Sequence, residues 1–115
     1  MLTLLNTSIL TEYGDYSYSE IALETAKQLV WDAIQENGFQ SAIGHEATAQ
    51  ICSSLLKVAA IPVNRIEYHQ NIGDTALIFK LNGRPAEGKI LTLEEIEQMG
   101  YKWGVLLRVP NGTIQ

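Results

Sequence analysis

At 115 residues, with 46% hydrophobic and 18% charged side chains, the chain has the composition of one soluble globular domain and not of a disordered segment. Its formal net charge of −5 argues against general DNA or RNA binding, which calls for a basic surface. The lone Cys52 excludes an intramolecular disulfide and points to a reducing compartment; no apolar run approaches the ~20 residues of a membrane span and no signal-peptide pattern is present. The expectation is a cytoplasmic protein with no membrane contact.

Leu2–Leu5 reads as a short buried strand running into the polar Asn6-Thr7-Ser8 loop. After the Gly14-Asp15 turn, Tyr16-Ser17-Tyr18-Ser19 alternates as a strand with one wet face does. Leu23, Ala26, Val30, Ala33 and Ile34 share one face of a helix over about Leu23–Glu36, with Ser19 as its candidate cap and Asn37-Gly38 as its stop. A second helix, about His45–Leu56, places Ala47, Ile51 and Leu55 on an apolar side with Cys52 and Leu56 beside them, so Cys52 reads as core. Asn64–Gln70 and Thr75–Leu81 read as a hairpin joined through Asn71-Ile72-Gly73-Asp74. Thr92-Leu93-Glu94-Glu95 is a capping box, with Leu91 and Ile96 spaced as a hydrophobic staple, and it opens a short third helix ending at Gly100. Lys102–Pro110 is a last strand. Together these elements predict an α/β fold: a single domain over residues 1–115, with a mixed β-sheet flanked by about three helices.

Charge is unevenly spread. Residues 1–56 carry seven acidic side chains against Lys27 alone, while residues 57–115 carry seven basic and six acidic ones. An anionic ligand would therefore be held by groups of the second half: Lys57, Arg65, Lys80, Arg84, Lys89, Lys102 and Arg108.

The stretch Ser41-Ala42-Ile43-Gly44-His45-Glu46-Ala47-Thr48 sets a histidine just after a glycine at the mouth of a helix. Unpaired N–H groups and the positive dipole end make such a place a seat for phosphate. His45 there either caps the helix or holds a phosphate and exchanges a proton with it; bound phosphate favours imidazolium, the form a general acid needs. His69, between Tyr68 and Gln70, reads as a solvated strand face. Arg84-Pro85-Ala86-Glu87-Gly88-Lys89 is either a charged surface loop or a phosphate grip, with Arg84 and Lys89 as cations and Glu87 orienting a hydroxyl or clamping Arg84. Arg65 is either a surface ion-pair partner or a two-pronged phosphate ligand. No His-x-x-x-His, Asp-x-Asp, Walker or Gly-x-Gly-x-x-Gly spacing occurs, so neither a metal nor a cofactor is expected.

Asn6-Thr7-Ser8-Ile9-Leu10, Ala42-Ile43-Gly44-His45-Glu46-Ala47-Thr48, Val63-Asn64-Arg65 and Arg84-x-x-Glu87-Gly88-Lys89-Ile90-Leu91-Thr92 occur in one order and spacing that resembles the viral ring nuclease family. These are the type III anti-CRISPR proteins of archaeal viruses and phages, with relatives on bacterial mobile elements, and the resemblance covers nearly the whole chain. It implies a homodimer that binds cyclic tetra-adenylate and cleaves it without metal, to linear di-adenylate with a 2′,3′-cyclic phosphate. By the same resemblance His45 would be the general acid, Arg84 and Glu87 the other catalytic pair, and Arg65 a ligand-contacting arginine. Asn6, Thr7 and Ser8 would line the site beside Gly44, with either Thr7 or Ser8 facing the ligand, and Lys89 would add a cation. Glu46 stands where aspartate is commoner in the family. The alternatives are a sponge that sequesters the cyclic nucleotide, for which His45 and Glu87 would be superfluous, and a small regulatory protein of a mobile element, which would need a basic face.

Overall fold

The computed structural model describes residues 1–83 and 91–113. Its elements are β1 (Leu2–Leu5), β2 (Asp15–Ile21), α1 (Leu23–Gln35), β3 (Phe39–Ser41), α2 (Glu46–Leu56), β4 (Thr75–Leu81), α3 (Leu93–Met99) and β5 (Tyr101–Val109). The five strands form one mixed sheet in the order β2-β5-β4-β1-β3. β1 lies parallel to both β3 and β4, with Leu4 opposite Ser41 on one side and Leu77 on the other. β5 runs antiparallel to β4 and β2, with Gly104 opposite Ile78 and Glu20. The expected α/β domain, with one mixed sheet and three helices, is the one observed.

Alternation along the strands divides the sheet into two faces. Leu2, Leu4, Leu77, Phe79 and Trp103 point to the face that packs against Ala26 and Val30 of α1, Ile51, Cys52 and Leu55 of α2 and Ile96 of α3. The Phe79 ring anchors this side, with its centroid 4.9 Å from Trp103 and 5.9 Å from Tyr101. Leu5, Ala76, Ile78 and Leu106 point to the second face, where Tyr16, Ala42 and Tyr68 pack over them. β1 is therefore buried on both sides, which is why Leu2–Leu5 reads as an unbroken run rather than an alternating one.

Two expectations are corrected and one strand is added. Asn64–Gln70 is not a strand: β4 already has β1 on one side and β5 on the other, so no edge is free for a hairpin partner. The segment instead runs over the second face, where Tyr68 packs and Gln70 is completely buried, its carboxamide donating to the carbonyls of Leu106 (2.9 Å) and Asp74 (3.0 Å). Phe39–Ser41, which has no expected element, is an edge strand of three residues, too short to show a period and held by pairing with β1. The N-cap of α1 is Ala22, without a side-chain cap; Ser19 lies inside β2, paired with Val105.

Candidate functional site

Because β1, β3 and β4 are parallel, their C-terminal ends share one edge of the sheet. The connections that leave that edge include the Asn6-Thr7-Ser8 loop after β1, the Ala42–His45 loop after β3, and the segment that begins at Asn82 after β4. Open α/β sheets collect their ligands at such an edge, since the loops there diverge over a rigid base. Arg84, Glu87 and Lys89 belong to the third connection but lie outside the described residues.

The β3–α2 loop is built by stitching. The Ser41 hydroxyl accepts from the Ile43 amide at 3.2 Å and turns the chain out of the strand. Asn64 then binds the loop from outside: its amide donates to the Ile43 carbonyl at 2.9 Å and its carboxamide to the Ser41 carbonyl at 2.8 Å. The neighbouring Arg65 donates from Nε to the Gly44 carbonyl at 2.9 Å. Gly44 eases that approach, because a Cβ there would meet Arg65 Cγ at 3.2 Å. His45 is the N-cap of α2 in extended conformation, exposed and with no side-chain cap bond, and the first helical residue is Glu46. Its imidazole is thus not consumed by capping. Asn6 is half-buried at the root of its loop, whereas Thr7 and Ser8 are exposed. A groove of about 830 Å³ opens beside Gly44 and Arg65, walled by Ala47, Gln50 and Ser54 of α2 on one side and Pro62 and Val63 on the other.

Among the other described cations of the second half, Lys80 and Lys102 lie opposite each other on β4 and β5. Lys57 is at the far end of α2, and Lys80 stands over the Tyr18 ring, 5.8 Å from its centroid. Lys102 pairs with Glu20 at 3.5 Å. The Arg108 guanidinium donates to the Gln70 and Tyr13 carbonyls. Arg65 is the predicted ligand cation that the described residues bring against the His45 loop. Cys52 is buried and its thiol is pushed well above the ordinary range by desolvation, in keeping with a core position. His69 is exposed, though not on a strand, and its Nδ1 lies 2.7 Å from Glu12 Oε1. Asn64 ties Arg65 to the loop, and its place between Val63 and Arg65 is its signal in the sequence, without any periodicity to set it apart.

The protein is thus an α/β protein whose loops gather at the C-terminal edge of three parallel strands. By sequence it belongs to the STIV B116-like family, which it matches over residues 2–103. It is 39% identical over 113 residues to protein ORF117 of Acidianus two-tailed virus, covering 95% of this chain and 94% of that one. It is also 39% identical over 106 residues to protein 26 of Sulfolobus islandicus filamentous virus, covering 88% and 86% of the two chains. Among solved structures, B116 of Sulfolobus turreted icosahedral virus superposes with a TM-score of 0.84 at 23% identity, over 93% of this chain and 98% of that one, which shows the shared fold. The family is thus a viral one, and no helix among the described residues is long and apolar enough to cross a membrane.

Proposed function

We propose that the protein is a ring nuclease that opens cyclic tetra-adenylate, acting as a homodimer and antagonising type III CRISPR signalling. The observation that carries this reading is the exposed His45 side chain at the N-cap of α2, which makes no cap bond, set beside an arginine that is fixed to the same loop. A phosphate seated on the first N–H groups of α2 would gain from the helix dipole and from the remaining N–H donors of Arg65. The resemblance of the Gly44-His45, Asn64-Arg65 and Arg84-x-x-Glu87-Gly88-Lys89 segments to ring nucleases supports the same ligand.

In the proposed reaction a ribose 2′-oxygen forms a bond to its own 3′-phosphorus and the bond from phosphorus to the 5′-oxygen breaks; the step occurs at two opposite phosphates of the ring, so that two linear di-adenylates leave, each ending in a 2′,3′-cyclic phosphate. The hydroxyl proton passes to solvent, and His45 donates a proton to the departing 5′-oxygen. The nucleophile belongs to the substrate, so the protein's tasks are alignment and proton donation, the latter worth about 10²–10⁴-fold. Arg65, and with it Arg84 and Lys89, would hold the phosphates, Glu87 would orient the attacking hydroxyl or clamp Arg84, and Asn6 with Thr7 or Ser8 would line the ring. No metal or cofactor enters this scheme.

His45→Ala tests it. Cleavage of cyclic tetra-adenylate should fall by about 10²-fold or more while affinity changes little. Undiminished cleavage would remove His45 from the mechanism, and tight binding without cleavage by the unaltered protein would make it a sponge.

A further inference from the structure

Two long connections cross the second face of the sheet, and one cluster joins them. Residues 6–14 leave the C-terminal edge after Leu5 and return to the opposite edge, where β2 starts with Asp15 opposite Val109. Residues 63–74 make the same journey, from Asn64 on the Ser41–Ile43 loop to Asp74, which precedes Thr75 opposite Leu2 and Leu107. Towards that opposite edge the two connections meet. His69 Nδ1 lies 2.7 Å from Glu12 Oε1, and the Gln70 amide donates to Thr11 Oγ1 at 2.9 Å and to Glu12 Oε2 at 3.2 Å. The Thr11 hydroxyl donates to the Glu12 carboxylate as well. Tyr16, from β2, donates its hydroxyl to the Glu12 carbonyl at 2.8 Å. The near ends of these two connections carry Asn6–Ser8 and Arg65.

We propose that Glu12 and His69 are positioning residues, whose ion pair sets the placement of the Asn6–Ser8 loop relative to Arg65 and so tunes anion binding at the His45 edge. The identity of the anion rests on the function proposed above; the coupling does not. Neither connection has ladder hydrogen bonds to define its course, so its freedom is limited by its ends and its side-chain anchors. Segment 63–74 is pressed on the sheet by Tyr68 and Gln70, so a shift at His69 is carried along a seated chain rather than lost in a loose one. The charged and titratable groups around the pair are Glu67, 3.6 Å from His69 Nε2, the Asp74 carboxylate, the Tyr16 and Tyr68 phenols, and Arg108, which donates to the Gln70 carbonyl. Burial pushes Tyr68 up to about 12, which leaves it neutral throughout the range in question.

The pair responds to pH in both directions. The hydrogen bond to Glu12 raises the His69 imidazole above its ordinary 6.5, and bonds from Thr11 and then His69 lower Glu12 below its ordinary 4.5. The contribution of His69 is complete below 6.5 and fades as pH rises through its raised value; that of Glu12 is complete above 4.5 and fades as pH falls. The clasp is tightest between those limits.

The test is NMR of the full chain without ligand, in the unaltered protein, Glu12→Gln and His69→Gln, between about pH 5 and about pH 8, where a histidine titrates. The amides of Asn6–Ser8 and the Arg65 Nε–H should follow the His69 titration in the unaltered protein and cease to follow it in both variants. Affinity for cyclic tetra-adenylate should fall roughly two- to fivefold as His69 loses its proton, the scale of an exposed ion pair, and this step should be missing in the variants. If His69 titrates while Asn6–Ser8 and Arg65 stay unmoved, the inference is overturned. If those signals do follow His69 but cyclic tetra-adenylate binds at no pH, the coupling stands and the proposed ligand falls.

Discussion

The Gly44 carbonyl is held by Arg65, and the absence of a side chain on Gly44 eases the arginine's approach to the backbone. Gly44→Ala would place a methyl group 3.2 Å from Arg65 Cγ. The neighbour is a flexible stem, so the protein should yield by moving it, at a stability cost under about 1 kcal/mol. The displaced guanidinium should weaken anion binding by about fivefold, the loss of part of a charge-assisted contact. Thermal melting and titration with cyclic tetra-adenylate check the two halves of this prediction separately; equal affinity in both proteins would show that Arg65 does not grip the ligand from this place. The position of Gly44 and His45 just before α2 was legible in the sequence because the apolar period of that helix begins right after them. Asn64 was not, since an asparagine in an irregular segment has no pattern that distinguishes a stitch from a solvated side chain.

The helices were the most legible elements, and α3 shows why. Its capping box is complete: the Glu95 amide donates to Thr92 Oγ1 and the Thr92 amide to Glu95 Oε1, both at 3.1 Å. These contacts are local, so the sequence spacing alone contains them. Thr92→Ala should cost about 1 kcal/mol and lower the melting temperature by roughly 3–6 °C; an unchanged melting temperature would mean that the cap does not hold this end of α3. The segment Asn64–Gln70 was misread for the opposite reason. Its alternation resembles a strand, but whether it pairs depends on which edges of β4 are free, and β1 and β5 occupy both. β3 was missed because three residues carry no period, and its pairing partner β1 is more than 30 residues away in sequence.

At the scale of the whole molecule, the class of fold followed from the order of strands and helices, whereas the strand order and the gathering of loops at one edge depend on parallel pairings that span long separations. An acidic protein would hold the proposed polyanion at a local seat: among the described cations Arg65 is fixed against the His45 loop, while Lys80 stands over Tyr18, Lys102 pairs with Glu20 and Arg108 binds the Gln70 carbonyl. A homodimer would present two such edges to one cyclic ligand, and two-fold symmetry in protein and ring would match. In the proposed reaction the ligand's own 2′-hydroxyl is aligned and His45 supplies the proton. The most direct measurement is to incubate the purified protein with cyclic tetra-adenylate in excess EDTA and resolve the products by chromatography. Linear di-adenylate ending in a 2′,3′-cyclic phosphate is the expected product; intact cyclic tetra-adenylate, bound or unbound, would rule the reaction out.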